Sequence, residues 1–244
     1  MVDCGFSCTE VERRLARLER TPADVDAILV THEHTDHIGG VARLARKHGI
    51  PVWATCGTLA AGEDGGFDRA NRFSCHRPFA IGALQVRPFP VPHDAREPCQ
   101  FVFDDGVARL GILTDIGSLT PHVVRSLDGV DALMLEFNHD IEMLAVGPYP
   151  PRLKQRVGGD FGHLNNAQAA ELLRRLDRSR LRRLVAAHLS EKNNHPERVR
   201  RVLEETLAGD ACDCLIACQD EGFDWVDVHG VPAADGGRQV TGTF

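Results

Sequence analysis

The heptapeptide THEHTDH at residues 31–37 holds three histidines and one aspartate within six consecutive positions. With 12 histidines in a chain of 244 residues, this H-x-H-x-D-H spacing arises by chance in only about one sequence in a thousand. The apolar run DAILVT at residues 26–31 predicts a strand that leads into the motif. Because strand side chains alternate with a period of two, His32 and His34 point the same way and can share one metal ion.

Asp36 and His37 follow where the chain turns from this strand toward a helix, so they can reach a second ion on the other side of the loop. Apolar positions with helical spacing in residues 38–48 predict that helix. Imidazole and carboxylate ligands without cysteine suit Zn²⁺, Mn²⁺ or iron in an open catalytic site rather than a closed structural site. Solvated loop histidines are the alternative interpretation of the same pattern.

Three more potential ligands stand at the ends of predicted strands downstream of the motif. His93 follows LQVRPFPV, Asp115 follows LGILT, and His188 follows LVAA. A single histidine at a strand end is more often an ordinary surface or hydrogen-bonded residue. Together with the motif, however, these positions predict that the chain supplies ligands for two metal ions.

Composition places the chain among ordinary globular proteins, with 43% hydrophobic and 26% charged residues. No stretch approaches the roughly 18 apolar residues of a membrane helix, and the first residues become charged before a signal-peptide core could form. We therefore expect a cytoplasmic protein without membrane contact. The net charge of −7 argues against binding nucleic acid through bulk electrostatics alone. A phosphate-bearing substrate would need a local attraction, such as metal ions.

The eight cysteines are expected to be reduced thiols, because no secretion signal accompanies them. Their densest group is Cys212, Cys214 and Cys218 in the segment ACDCLIAC. The spacing differs from the CxxC of a zinc knuckle, and the alternation of the segment predicts a strand. A metal site there is the minor alternative.

Helix and strand patterns alternate along the chain, and no linker or low-complexity tract divides residues 1–244. We therefore expect one layered domain with helices outside β-sheets. Residues 79–113 predict antiparallel strands, with a hairpin at Asp105 and Gly106. The elements predicted after them are a helix begun at residues 118–121, a strand at 131–137, a helix at 165–176, a strand at 184–187, a helix at 196–207, and strands at 214–217 and 223–228.

In order and content, THEHTDH, His93, Asp115 and His188 resemble the metal motifs of the metallo-β-lactamase superfamily, over nearly the whole chain. The resemblance implies an α/β (α+β) fold, a four-layer αββα sandwich with the site at one edge between the two sheets. It also implies two divalent metal ions, Zn²⁺ or Mn²⁺. The implied ligands are His32, His34 and His93 for one ion, Asp36, His37 and His188 for the other, and Asp115 for both.

Further phrases, DCGFSCTE, GILTDIGSLTPH, EFNHD, GHLNN and HLSEKNN, are similar to the WalJ/YycJ-type subgroup, whose members are described as DNA exonucleases. A bridging aspartate in place of cysteine also resembles the hydrolase and nuclease branch of the superfamily. The resemblance therefore implies a phosphodiesterase whose substrate is DNA. The first sheet of this family normally begins with strands upstream of Val2, so a truncated start that lacks them is a further expectation.

Two such ions can activate water and stabilise charge on the oxygens of a phosphodiester, and they serve carbonyl hydrolysis equally well. Asp36 is expected to orient the water and accept its proton. For the proton of the leaving group, Glu136 and His163 resemble a motif pair of the tRNA-processing members, with His139 as a competing acid. The alternative is that His163 ties its loop to the next helix and Glu136 holds a metal-ligand histidine. The residues expected to contact substrate phosphates are Arg152, Lys154 and Arg156.

Two other functions are compatible with the sequence. The first is a small-substrate hydrolase of the same fold that cleaves a thioester, a lactone or a cyclic phosphodiester, since no inserted nucleic-acid clamp is visible. The second is a mononuclear iron oxidoreductase or a non-catalytic metal-binding adaptor. The acidic residues Asp36 and Asp115 argue against this second class, because neither kind of protein needs a full set of two-metal ligands. No feature of the sequence predicts an oligomeric state.

Overall fold

Two stacked β-sheets form the middle of the fold in the computed structural model, which describes residues 1–61 and 70–229. The strands are β1 (Ile28–Leu29), β2 (Val52–Ala54), β3 (Asn71–Arg72), β4 (Phe79–Ile81), β5 (Leu84–Pro90), β6 (Cys99–Asp104), β7 (Arg109–Leu113), β8 (Ala132–Glu136), β9 (Arg183–Ala187) and β10 (Asp213–Ile216). The helices are α1 (Cys8–Arg17), α2 (Thr35–Ile38), α3 (Val41–His48), α4 (Cys56–Ala61), α5 (Pro121–Leu127), α6 (Ile141–Val146), α7 (Pro151–Val157), α8 (Asn166–Arg175) and α9 (Pro196–Thr206). A single 3₁₀ turn is formed by Pro22–Asp24.

The two sheets differ in size and in strand direction. The small sheet has the order β1-β2-β3 and is parallel, and Val2 adds an isolated bridge to Leu29. The large sheet has the order β10-β9-β8-β7-β6-β5-β4. Strands β4 to β7 are antiparallel, whereas β7 to β10 are parallel. Helices join the parallel strands because a tight hairpin cannot return the chain in the same direction.

Three apolar layers hold these elements together and confirm the αββα arrangement. Ile28 and Leu29 are neighbours in β1 and point to opposite faces, as side chains of a strand do. Ile28 packs with Val11 of α1 and Leu44 of α3, whereas Leu29 packs against Phe101 of the large sheet. The third layer packs outer helices on the other face of the large sheet and includes Val123, Leu127, Leu133, Leu135, Leu172, Leu184 and Leu203.

The helix predicted after the motif is present, but it is divided into α2 and α3. Gly40 lies at the division and donates its backbone N–H to the Cys4 carbonyl oxygen at 2.7 Å. A Cβ atom at Gly40 would lie 2.0 Å from the Phe6 carbonyl oxygen. The N-terminal loop therefore approaches the helix so closely that only glycine fits at the division.

The elements predicted between residues 79 and 217 are confirmed, and their ends differ by up to three residues. The hairpin is confirmed as well, with Gly106 at a φ of 88°. Cys214 lies in β10, as the alternation of its segment predicted, and the cysteines of that segment are free thiols. Within the described residues, no helix is long and apolar enough to cross a membrane.

The prediction of a strand at residues 223–228 is wrong, because the structure has no strand in this segment. The segment instead contacts the end of α1, where Trp225 Nε1 donates to the Leu18 carbonyl oxygen at 3.3 Å. The Arg20 guanidinium lies 5.4 Å from the centroid of the Trp225 ring. Side-chain contacts with α1 thus take the place of the expected strand pairing.

We expect Leu135→Ala to lower the free energy of unfolding by about 2–5 kcal/mol, because the substitution leaves a cavity in the outer layer. Leu135 is fully buried, whereas Val146 is 87% exposed. Val146→Ala should therefore change the free energy of unfolding by less than about 0.5 kcal/mol. Urea denaturation followed by circular dichroism measures both variants. Equal losses for the two variants would contradict the assignment of Leu135 to the core.

Candidate metal centre

Four strands of the large sheet deliver polar residues to one edge of the sandwich. Strands β7, β8 and β9 are parallel, and β5 runs in the same direction because β6 is antiparallel to both β5 and β7. Carboxyl ends of strands that run the same way meet at one edge of a sheet. His93 follows β5, Asp115 follows β7, Glu136 ends β8, and His188 follows β9. The sheet itself therefore gathers these four side chains.

His32, His34 and His93 form the first group of ring nitrogens. His34 Nδ1 lies 3.0 Å from His32 Nε2 and 3.2 Å from His93 Nε2. The other ring nitrogen of His93 donates to the Gly162 carbonyl oxygen at 3.0 Å, and that of His32 lies 2.9 Å from Thr31 Oγ1. Because the Thr31 hydroxyl donates its own proton to a carboxylate, His32 Nδ1 carries the hydrogen of this contact. Both Nε2 atoms are therefore free to act as metal ligands.

Asp36, His37, Asp115 and His188 form a second group beside the first. His37 Nε2 lies 3.5 Å from Asp36 Oδ2 and 3.4 Å from Asp115 Oδ2. His188 Nε2 lies 3.5 Å from Asp115 Oδ1, and the same oxygen lies 3.9 Å from His93 Nε2 in the first group. Asp115 thus stands between the two groups.

Two buried polar atoms at the centre indicate whether the second group is suited to bind a metal ion. His37 Nε2 and Asp115 Oδ2 are buried, and neither has a hydrogen-bond partner within the described residues. A buried carboxylate oxygen without a partner is costly. A divalent cation at this point would satisfy both atoms, so the residues present fit a metal ion.

Asp3 supports the centre, although it was not among the predicted site residues. Its carboxylate accepts hydrogen bonds from Thr31 N, Thr31 Oγ1 and His37 Nδ1, each at 2.8 Å. It therefore fixes both ends of the motif and leaves His37 Nε2 facing the centre. The sequence signal that could have pointed to Asp3 is the phrase DCGFSCTE, which contains it and is similar to the WalJ/YycJ-type subgroup.

Three residues of the centre have a backbone conformation that side-chain-bearing residues seldom adopt. Asp3, Asp115 and His188 have φ values of 55°, 52° and 57°. This left-handed conformation costs free energy in residues other than glycine, and it concentrates at functional sites. It marks the three positions as places where the fold accepts strain to direct a side chain.

Glu136 connects the second group to the rim of the site. Its fully buried carboxylate accepts hydrogen bonds from His163 Nδ1 and His188 Nδ1, both to Oε1 at 2.8 Å. The other oxygen accepts from the backbone N–H groups of Leu164 at 3.0 Å and Ile116 at 3.3 Å. Both interpretations of Glu136 thus have a contact in the structure, since it is the partner of His163 and also holds His188.

Burial and charge set different protonation preferences in the two groups. Burial lowers the pKa of His32 to about 2 and also lowers the pKa of His93, so both rings are neutral. Burial opposes the charged form of His188, but Asp115 and a second carboxylate raise its pKa to about 9. Burial also opposes the charged form of His37, but the nearby Asp115 carboxylate, the hydrogen bond to Asp3 and the nearby Asp36 carboxylate raise its pKa nevertheless. The second group therefore demands positive charge, which a proton or a divalent ion can supply.

A cleft of about 320 Å³ opens beside the two groups. Its lining includes His34, Asp36, Asp94, Asp115, Arg156 and His163. Of the residues predicted to contact substrate, Arg156 thus lies at the cleft. Lys154 Nζ instead donates to the Ala145 carbonyl oxygen at 2.6 Å, and Arg152 is exposed outside the lining. His139, the competing acid, is 2% exposed and also lies outside the lining.

The fold and the two ligand groups define a metallo-β-lactamase-type protein, and the sequence comparison agrees. Residues 1–189 match the beta-lactamase superfamily domain. In structure, the chain resembles the metallo-beta-lactamase fold protein YhfI from Bacillus subtilis with a TM-score of 0.68, at 18% identity. That match covers 92% of this chain and 85% of the other and bears on the fold alone. The chain therefore belongs to the beta-lactamase superfamily.

Within the superfamily, exodeoxyribonucleases of two species match over most of their length. Exodeoxyribonuclease WalJ of Streptococcus pneumoniae serotype 2 (strain D39) is 36% identical over 214 residues, which cover 85% of this chain and 80% of WalJ. Exodeoxyribonuclease YycJ of Bacillus anthracis is 36% identical over 211 residues, with 85% and 80% coverage. The chain is thus a member of the family that contains WalJ and YycJ.

Asp3→Asn should weaken metal binding by about 10- to 100-fold, because the ring nitrogen of His37 loses the carboxylate that orients it. Competition titration with a chromogenic chelator measures this affinity. The matched control is Asp220→Asn, since Asp220 is exposed and should leave the affinity unchanged. If the affinity of Asp3→Asn equals that of the control, the supporting role of Asp3 is wrong.

Proposed function

We propose that this chain is a metal-dependent exodeoxyribonuclease that hydrolyses phosphodiester bonds of DNA. The observation that carries the proposal is the 36% identity to exodeoxyribonucleases over four-fifths of their length. The two ligand groups beside an open cleft support it, because hydrolysis of a phosphodiester is chemistry that a pair of metal ions promotes. A cytoplasmic location stays a prediction, as does the organisation of residues 1–244 as one domain.

Two divalent ions, Zn²⁺ or Mn²⁺, are proposed as cofactors. The ligands would be His32, His34 and His93 for one ion, Asp36, His37 and His188 for the other, and Asp115 for both. When bound, such a pair of ions supplies an activated water and stabilises negative charge on the phosphodiester. The truncated start expected from the sequence stays a prediction and is not needed for this ligand set.

Asp36 is proposed to orient the attacking water and to accept its proton. Its side chain is 72% exposed and lines the cleft, whereas the neighbouring ligand Asp115 is almost completely buried. Asp36 can therefore reach both the second group and a substrate in the cleft. A carboxylate with one oxygen directed at a ligand site has its second oxygen available as a proton acceptor.

His163 is proposed to donate a proton to the leaving oxygen. Its ring lines the cleft, and its Nδ1 donates to Glu136 at 2.8 Å, which leaves Nε2 for the substrate. His139 stays a weaker proposal for this role, because it is buried outside the cleft lining. Arg156 at the cleft is proposed to bind phosphate, and Arg152 and Lys154 on the same helix would contact DNA farther from the centre.

Asp115→Asn should lower the metal content toward one ion per chain and remove hydrolysis, because an amide can neither neutralise nor bridge two cations. Asparagine tolerates the left-handed backbone at this position better than most residues, so the fold should persist. Elemental analysis and a nuclease assay of the purified variant test this expectation. Retention of two ions with near-normal turnover would contradict the bridging role.

His163→Ala should keep the metal content and the DNA affinity but lower turnover on DNA by about 10²–10⁴-fold. Much of this loss should vanish on bis(4-nitrophenyl) phosphate, because nitrophenolate leaves without a proton. Steady-state rates on both substrates measure the difference. Equal losses on both, or loss of a metal ion, would favour a purely structural role in which His163 ties its loop to α8.

The direct test of the proposed function is a gel assay with 5′- and 3′-labelled DNA, single- and double-stranded, with Zn²⁺ or Mn²⁺ added to chelator-treated protein. We expect stepwise shortening from one end that stops when the ions are removed. Asp115→Asn serves as the inactive control. Cleavage of a thioester, lactone or cyclic phosphodiester without any action on DNA would instead support the small-substrate hydrolase.

A further inference from the structure

The Asp94 carboxylate stands between the first ligand group and an arginine of the cleft. Asp94 Oδ1 lies 3.6 Å from His93 Nε2 and 3.8 Å from His34 Nε2. Asp94 Oδ2 accepts a hydrogen bond from Arg156 Nε at 2.5 Å. Both Asp94 and Arg156 line the cleft. The Asp94 carboxylate thus lies between the Arg156 guanidinium and the histidines of the first ligand group.

Arg156 is equipped to bind a further anion. Its ion pair with Asp94 uses Nε, and its two terminal amino groups make no hydrogen bond within residues 1–61 and 70–229. The side chain is 55% exposed, so a substrate can reach it. The two terminal groups of a guanidinium form a planar fork that matches two oxygens of a phosphate. The ion pair orients this fork before a substrate binds.

The backbone fixes Arg156 relative to the ligands. Asp94 N donates to the Phe161 carbonyl oxygen at 2.9 Å, and His93 Nδ1 donates to the Gly162 carbonyl oxygen at 3.0 Å. A Cβ atom at Gly162 would lie 2.2 Å from the Arg156 carbonyl oxygen, so this loop folds tightly onto the end of α7. The segment that carries Arg156 is therefore anchored to the segment that carries His93.

We propose that Arg156 binds the DNA phosphate next to the one that is hydrolysed, and that Asp94 is the positioning residue that holds Arg156 for this contact. A phosphate undergoing hydrolysis must lie at the ligand groups, on one side of the Asp94 carboxylate. In this proposal the fork of Arg156 holds a second phosphate beyond the Asp94 carboxylate, so the site would recognise a chain of nucleotides rather than an isolated phosphodiester.

The charge of Asp94 is consistent with a role in positioning Arg156 rather than in binding phosphate itself. An unpaired carboxylate at the cleft would repel every phosphate of the substrate, whereas the ion pair with Arg156 offsets that charge. Asp94 should therefore favour DNA binding only through Arg156, and it should not favour DNA binding in a variant that lacks Arg156. This inference rests on the proposed function, because it assigns the contacts of the same DNA substrate.

The test uses two oligonucleotides that differ in one feature. In one, all linkages are natural; in the other, the second linkage from each end is a neutral methylphosphonate. We expect the metal-loaded wild-type protein to cleave the natural terminal linkage about 10- to 100-fold more efficiently in the first oligonucleotide. Arg156→Ala should lose this preference, and Arg156→Lys should retain part of it. Arg125→Ala, a matched change of an exposed arginine on α5, should behave as the wild type.

A second measurement is independent of turnover. Fluorescence anisotropy measures the affinity of chelator-treated protein for single-stranded DNA at several salt concentrations. The slope of log affinity against log salt should be shallower for Arg156→Ala than for the wild type, by the amount expected for the loss of about one phosphate contact. Asp94→Asn should weaken binding about 3- to 10-fold in the wild-type background and not at all in the Arg156→Ala background. Elemental analysis checks that the metal content of the variants is unchanged.

The outcomes separate this inference from the proposed function. If Arg156→Ala keeps the preference for the natural linkage, or loses rate equally on both oligonucleotides, Arg156 does not bind the adjacent phosphate. If Asp94→Asn weakens binding equally in both backgrounds, Asp94 acts by another route. Failure of the wild-type protein to cleave DNA would overturn the proposed function, and the salt dependence of binding would then still decide whether Arg156 contacts a phosphate.

Discussion

Burying carboxylates at the edge of the sandwich is the constraint on which the rest of the site depends. Asp115 is 2% exposed and Glu136 is fully buried, and a buried charge is tolerated only when it is paired or coordinates a metal. Glu136 is satisfied by two imidazoles and two backbone N–H groups. Asp115 keeps one oxygen without a hydrogen bond within the described residues, opposite an unpartnered ring nitrogen of His37. The surroundings of Asp115 Oδ2 and His37 Nε2 therefore favour the binding of a positive charge.

Hydrogen bonds around the histidine rings determine which ring nitrogen of each faces Asp115. Carboxylates and carbonyl groups only accept hydrogen bonds, so the Nδ1 atoms of His37, His93 and His188 must donate to them. The Nε2 atoms of these rings are left facing Asp115, where a proton or a metal ion can bind them. Such partners fix the ring orientation and raise the basicity of metal ligands. The helices and strands act on the chemistry through these outer contacts, each of which joins parts of the chain that are distant in sequence.

Much of the architecture could be predicted from the sequence because its patterns are local. The alternation of β5 to β7 and the apolar stripes of the later helices predicted those elements, and the spacing of His32, His34 and Asp36 predicted the chemistry of the site. The same reasoning predicted a strand wrongly at residues 223–228, where Trp225 is exposed and donates a hydrogen bond to the Leu18 carbonyl oxygen at the end of α1. Gly40 divided a helix for a similar reason, since the close approach of a distant loop is invisible in local periodicity.

The supporting residues could not be predicted from local pattern. Asp3 meets His37 across 34 positions, and Asp94 meets Arg156 across 62 positions. Neither pair has a spacing that a helix or strand would reveal. The carboxylate of Asp3 is near the start of the chain, far in sequence from the motif that it holds. Only its hydrogen bonds to Thr31 and His37 in the folded chain show why an aspartate stands there.

The central claim is that Asp115 joins two metal ions. Anomalous diffraction from crystals of the protein loaded with Zn²⁺ or Mn²⁺, recorded at the absorption edge of the metal, tests it most directly. We expect two peaks, one among His32, His34 and His93 and one among Asp36, His37 and His188, with an oxygen of Asp115 coordinated at each. A single peak at full loading, or two peaks that Asp115 does not touch, would contradict the account.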